Sequence, residues 1–429
     1  VVLDAFPLTP HRKIDRRALP APRSAPDGDS RHIAPRTPAE EALARIWSEV
    51  LPVDTVGVED DFLGLGGDSI LGVRLLTRIR AELGVELSLR DLLDARTVAR
   101  LAGKLPATAA EAPEAPIPPA PRDRPLPLSS AQRRLWFLDD LTSGGTEYNT
   151  GAGLRLDGPL DAAALRRALD RLAARHDALR TTFATVDGHG VQQVAAHGTV
   201  PLERLDLGGH PARRRAEELE ATLTAELNRP YDLRQSPLTR ALLIRLADGE
   251  HILLLAQHHI VTDGWSVGLL VRELAALYAA EVSGTDAALP EPALQYPDFA
   301  VWERSRTATA GEDADLAYWR GRLAGMQTLE LPTDRPRPPV RTTAGAVHRR
   351  ELPAELVAGL ARLGRERDTT QFTLLAAAVA VLFSRYSGQR DIAFGTVTAG
   401  RHRKELESVA GFFVNTLVLR ADVDGDSTV

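Results

Sequence analysis

No cysteine occurs anywhere in the chain, and lysine is nearly missing: Lys13, Lys104 and Lys404 are the three examples among 52 lysines and arginines. The first absence removes disulfide frameworks and thiolate metal sites, and it fits a reducing, cytoplasmic compartment. The second points to an arginine-biased composition rather than to a surface built for phosphate contacts. Positive charge is not in excess either. The formal net charge is -6 with both signs interspersed, so the footprint of a nucleic-acid binder is lacking. No apolar run approaches the roughly 18 residues of a membrane span, which excludes a helical membrane anchor within this sequence. The opening residues, VVLDAFPLTPHRKIDRRALP, lack the basic-then-apolar order of a signal peptide and read as the interior of a longer chain. Histidine is scarce too, at 11 residues in 429. That scarcity makes the adjacent pair His258 and His259 conspicuous.

What is present is ordinary for a folded protein: 44% hydrophobic and 26% charged residues, in a length that calls for two or three units. Two stretches rich in Pro, Ala and charge, at 21–36 and 106–125, read as linkers, because proline interrupts helices and the apolar content is too low for a core. Between them, PAEEALARIWSEVL places Ala42, Leu43, Ile46, Val50 and Leu51 on one helical face. SILGVRLLTRIRAELG repeats the period from Ser69 to a terminal Gly84, and RDLLDARTVARLAGKL supplies two shorter helices. A small helical bundle is expected there. The remainder mixes periods. LDAAALRRALDRLAARH, ARRRAEELEATLTAELN, VGLLVRELAALYAAEV and FTLLAAAVAVLFSRY are predicted helices. The apolar runs on either side of ADGE predict a hairpin, and DIAFGTVTAG a buried strand. The interleaving gives an α/β or α+β unit.

Two short segments carry chemistry. In DDFLGLGGDSI, glycines precede a serine at a helix start, where a hydroxyl is accessible and close to unpaired N–H groups. On the local motif alone a helix cap is the first reading and a modification site the second. In QHHIVTDGWS, successive strand side chains point to opposite faces, so His258 and His259 share a cavity only if the strand ends between them. Metal binding has little support, since two ligands must converge on one ion and no HExxH pattern helps. Acid–base chemistry by one histidine and a packed pair with a capping aspartate both remain open. Asp263 is placed to orient an imidazole or to pair with an arginine, and Gly264 to form a turn.

The segment DDFLGLGGDSI, within a helical unit between proline-rich linkers, resembles the peptidyl carrier domain of non-ribosomal peptide synthetases. Five segments in order, SSAQRRLWFL, RHDALRTTF, QHHIVTDGWS, YPDFAVW and VAGFFVNTLVLR, resemble the condensation domain of the same synthetases, of the chloramphenicol acetyltransferase-like superfamily. SxAQxRLW and GFFVNT fit condensation better than epimerisation, and the two histidines disfavour heterocyclisation. The first motif resembles the subtype that takes an L-configured donor. HRKIDR resembles the end of an adenylation domain, with Lys13 in the place of its lysine.

The resemblance implies a multidomain chain: an adenylation tail at 1–20, a linker at 21–36, and an all-α four-helix carrier bundle at 37–105. A second linker at 106–125 would lead to an α/β condensation domain at 126–429 with an incomplete second lobe. It implies Ser69 as the attachment point of covalent 4'-phosphopantetheine and His259 as the catalytic residue. His258, Asp263, Gly264 and Arg180 would support it, with Arg180 (failing that Arg175) as the partner of Asp263, and with no metal. Implied partners are a phosphopantetheinyl transferase, an upstream adenylation domain, a downstream carrier domain, and aminoacyl or peptidyl thioesters. Lys13, without an adenylation core, is expected to be inactive. Condensation by this chain alone is expected to be weak or absent. The alternatives are a carrier and docking module with an inert large unit, and an acyltransferase acting on a soluble amine. Trp136, Phe183, Trp302 and Phe413 are expected to serve the core rather than a substrate.

Overall fold

A computed structural model describes residues 33–424 apart from 52, 86, 88, 106–115, 143–144, 308–310, 340–344 and 368. Lys13 and the 1–20 segment lie outside the described residues, as do most of the 21–36 stretch and the first half of the 106–125 stretch.

The helical unit begins with α1 (Pro38–Val50). Thr37 accepts a hydrogen bond from the Glu40 amide at 3.1 Å, Pro38 fills a position that needs no donor, and Glu40 and Glu41 sit at the positive end of the helix dipole. Next comes α2 (Ser69–Leu83), followed by Gly84 at φ 66°, a left-handed stop that glycine adopts without strain. Two short helices complete it, α3 (Leu89–Ala95) and α4 (Val98–Ala102), the latter capped by Thr97. Leu43, Ile46, Trp47, Phe62, Leu75, Ile79, Leu92, Val98 and Leu101 are fully buried in one core. Trp47 and Phe62 meet edge to face at 5.4 Å. Burying a ring of this size contributes about 1.5–3 kcal/mol to that core.

The larger unit opens with β1 (Leu126–Pro127), α5 (Ser130–Thr142), β2 (Asn149–Asp157) and α6 (Ala162–Arg175). It continues through β3 (Thr181–Val186), β4 (His189–Val194), β5 (Leu202–Asp206), α7 (Ala212–Leu227), β6 (Thr239–Ala247) and β7 (Glu250–His258). In chain order there then follow α8 (Gly264–Ser283), α9 (Tyr296–Thr307), α10 (Gly311–Leu323), α11 (Ala354–Glu366), α12 (Gln371–Ser387), β8 (Asp391–Thr398) and β9 (Asn415–Asp422); residues 351–375, which hold α11 and the start of α12, do not group with this unit. The main sheet has the order β2-β7-β6-β5, antiparallel except for the β5–β6 pair. The hairpin predicted at ADGE is the β6–β7 turn, with Gly249 at φ 72°.

Strand β7 is central, and six consecutive residues from Leu253 to His258 are buried. Alternate side chains serve opposite layers. Leu253 and Leu255 join the core beneath α6 and α8, whereas Leu254 and Ala256 join the one beneath α7. The continuous apolar run is therefore the signature of a strand covered twice. No described helix is long and apolar enough to cross a membrane.

Two expectations fail here. The strand at 391–398 is not buried throughout: among the described residues β8 pairs only with β9, in a two-stranded ribbon, and Val397 is 70% exposed. Its residues belong to a one-sided strand whose outer positions happen to be apolar. Nor is 106–125 a linker throughout. From Ile117 onward the chain is anchored on the large unit: Ile117 is buried beside Leu294, Tyr296, Phe299 and Phe413. The Ala120 amide donates to Asp298 at 2.7 Å, and Arg122 bridges Asp177 (2.7 Å) and Asp298 (2.9 Å). One apolar side chain and one arginine outweigh a proline-rich composition.

Candidate functional site

Strand β7 ends at His258, and His259 begins a 3₁₀ turn that runs to Val261. The break falls between the two histidines, so their rings meet different surroundings. His258 is buried, and its Nδ1 accepts the Ile260 amide at 3.2 Å. Burial, aided by the neighbouring His259, pulls its pKa down to about 4, so this ring is neutral at physiological pH. It packs edge to face with Tyr231 at 6.2 Å. The His259 ring is only partly buried. Its Nδ1 lies 2.6 Å from the Thr262 carbonyl, its amide donates to the Tyr148 carbonyl at 2.7 Å, and the Phe412 ring meets it at 4.9 Å and 62°. Among the described residues no group of three or more metal-binding side chains gathers.

Asp263 caps α8 from a fully buried position. Its Oδ1 accepts from the Ser266 amide and hydroxyl, both at 2.8 Å, and its Oδ2 accepts from the Phe413 amide at 3.0 Å and Arg401 Nη1 at 2.8 Å. Arg401 also donates to Ser266 Oγ at 2.8 Å, and its guanidinium lies 4.0 Å from the centre of the Phe413 ring. Burial holds the Arg401 pKa below its ordinary value against the opposing pull of Asp263. The expected partners of Asp263 are engaged elsewhere. Arg180 pairs with Asp177 at 2.5 Å and donates to the Ala195 carbonyl, and Arg175 pairs with Glu273 at 2.8 Å. Both stand near carboxylates closer in sequence or on α8, which claim them first. Although burial works against it, hydrogen bonds from His176 and Arg175 keep the Glu273 carboxyl below the usual range.

Gly264 opens α8 outside the left-handed region, so no unusual dihedral is needed there. A Cβ added to it would meet no atom within 4 Å. Of the four aromatic residues assigned to the core, Phe183 and Phe413 are buried, whereas Trp136 and Trp302 are partly exposed. Sequence reasoning missed Arg401, Ser266, Tyr296 and Phe412. Ser266 and Tyr296 stood inside recognised segments, but nothing in AGRHRKEL distinguishes Arg401 from its basic neighbours.

In the helical unit, Asp68 Oδ1 accepts the Leu71 amide at 2.8 Å. The cap of α2 is therefore Asp68, and Ser69 is the first helical residue. The side chain of Ser69 lies outside what is described. Gly66 adopts φ 88°, and a Cβ on Gly67 would lie 2.5 Å from the Phe62 carbonyl, so the turn before Ser69 requires both glycines.

Residues 123–429 match the family described as the condensation domain, and residues 41–105 match the phosphopantetheine attachment site. The chain is 44% identical over 430 residues to a linear gramicidin synthase polypeptide of Brevibacillus parabrevis, covering 100% of this chain and 8% of that protein. It is 38% identical to surfactin synthase subunit 2 of Bacillus subtilis (strain 168), covering 100% of this chain and 12% of that protein. Among solved structures, the first condensation domain of the calcium-dependent antibiotic synthetase superposes with a TM-score of 0.62 at 28% identity, over 70% of this chain and 71% of that one. The chain thus spans a small fraction of the curated relatives that it matches.

Proposed function

The chain belongs to the condensation-domain family, with a phosphopantetheine-attachment domain ahead of it, and on that premise we propose that it is a carrier and condensation section of a non-ribosomal peptide synthetase. In this reading Ser69 carries the donor and His259 serves amide formation with an amine held on a downstream carrier. The observation behind His259 is the 2.6 Å approach of its Nδ1 to the Thr262 carbonyl. A carbonyl only accepts, so the neutral ring keeps its proton on Nδ1 and leaves the Nε2 lone pair free of it. That lone pair is suited to take a proton from the attacking amine, or to hold the amine against the donor carbonyl. His258 has the opposite arrangement, since its Nδ1 accepts, and it serves packing.

Asp263 touches no substrate in this reading. It fixes the start of α8 and the 411–413 backbone around the histidine turn. Gly264 leaves open space where a narrow substrate arm needs to pass. At Ser69, capping by Asp68 and the two-glycine turn suit attachment of 4'-phosphopantetheine by a phosphopantetheinyl transferase. When bound, that group supplies a thiol that carries the acyl group as a thioester.

We read residues 37–105 as the four-helix carrier bundle and the chain from about 116 onward as the condensation domain, which lengthens it relative to a start at 126. The 71% coverage of the solved condensation domain supports reading residues 311–424 as part of a larger second lobe. Residues 1–20 we read as an adenylation-domain tail on HRKIDR alone, with Lys13 inactive without its core. Cytoplasmic location is our reading of the cysteine-free composition.

Incubation with a phosphopantetheinyl transferase and coenzyme A tests the attachment. Intact mass should rise by one arm in the parent and not in Ser69→Ala. An unchanged parent mass, or equal gain in the variant, would sink the assignment of Ser69.

A further inference from the structure

The buried hydroxyl of Tyr296 ends a chain of hydrogen bonds whose direction the chemistry dictates. The Phe412 carbonyl can only accept, so the Tyr296 O–H donates to it. The 2.8 Å contact between Tyr296 and Ser129 then requires the Ser129 hydroxyl to donate to the tyrosine oxygen. Ser129 Oγ in turn accepts the Gln132 amide at 3.0 Å. Ser129, Tyr296 and Phe412 are all buried, so no water substitutes for a lost link without cost. The Phe412 ring meets His259.

The same short backbone is held at consecutive peptide groups. Ser266 Oγ accepts the Gly411 amide at 3.0 Å, Tyr296 takes the Phe412 carbonyl, and Asp263 takes the Phe413 amide. Gly411 lies so close to the tyrosine that an added Cβ would come within 1.8 Å of the ring. A phenylalanine at 296 would fill the same space. The hydroxyl therefore has a purpose beyond packing.

We propose that Tyr296 is a positioning residue for His259, acting through Phe412: its hydroxyl sets the 412 peptide, and thereby the ring that, with the Thr262 carbonyl, fixes the plane of the imidazole. This rests on His259 being the residue that serves amide formation. It joins the first, fourth and fifth sequence segments to the third by one directed path. Burial pushes the Tyr296 hydroxyl well above its ordinary pKa, so it remains a donor throughout the physiological range.

The test is Tyr296→Phe in a form of the chain carrying the second lobe in full, with Phe412→Leu as a second variant that spares the carbonyl. Two readouts are combined: amide formation with a soluble aminoacyl thioester as acceptor, and the imidazole nitrogen signals of His259 by NMR, assigned with His259→Ala. In the parent, the Thr262 carbonyl holds a proton on Nδ1. Tyr296→Phe should lower kcat roughly tenfold with KM within about twofold, the size expected for one buried hydrogen bond. Both variants should draw the two nitrogen signals toward each other as the ring loses its fixed orientation. A merely structural tyrosine would lower the melting temperature while leaving the His259 signals at their parent positions in both variants, and that result would overturn the proposal. If His259→Ala instead forms amide at the parent rate, the catalytic reading fails, and the NMR comparison still decides whether Tyr296 orients the ring.

Discussion

At the scale of single residues, the adjacent histidines show how one backbone event gives two identical side chains different chemistry. His258 closes a strand and faces the core, whereas His259 opens a tight turn and faces a partly exposed surface. The buried ring leaves a measurable trace. In the unfolded chain a histidine titrates near 6.5, whereas in the fold His258 titrates at about 4. Between those values the unfolded state binds more protons, so its share of stability is full above about pH 6.5 and is lost as the pH falls toward 4. That loss should amount to about 3 kcal/mol, at 1.36 kcal/mol per pKa unit. Denaturant titrations from pH 7 to 4.5 should show it, with a shallower slope in His258→Gln. Asp263 is the other case. Asp263→Ala strands the Arg401 guanidinium in the interior and should cost about 3–5 kcal/mol, whereas pairing it with Arg401→Met should recover a large part. Chemical denaturation of the single and double variants measures both. Arg401 lies 138 residues from Asp263; no local pattern reaches that far, and nearer arginines were the natural candidates.

At the scale of elements, the legible features were those with a strong period or a clear stop. The helices α1 and α2, the β6–β7 hairpin and the doubly covered β7 all follow from spacing and from Gly84 and Gly249. What escaped were features decided by one side chain. β8 carries apolar residues on a face that its ribbon leaves exposed, and a single isoleucine anchors the segment before β1. Ile117 fills a core position among Tyr296, Phe299 and Phe413, so Ile117→Ala should lose about 2–5 kcal/mol. Thermal unfolding followed by tryptophan fluorescence checks this. An unshifted transition would return the whole 106–125 stretch to the role of a linker.

At the scale of the whole molecule, a helical unit ahead of an α/β unit, each with its own core, matches the order in which a donor would be loaded and then used. The identity of both units was readable because their defining segments are short, ordered and rich in unusual combinations. What no segment discloses is how motifs far apart in sequence hold one another, as Ser129, Tyr296 and Phe412 do. The account stands most directly on a single-turnover measurement: a form of the chain carrying the second lobe in full and an acyl donor on its Ser69 arm, mixed with a soluble aminoacyl thioester, in parent and His259→Ala forms. We expect amide to accumulate in the parent and to fall by about 100-fold or more in the variant, the usual weight of a positioned proton acceptor. Equal amide in the two would contradict the account.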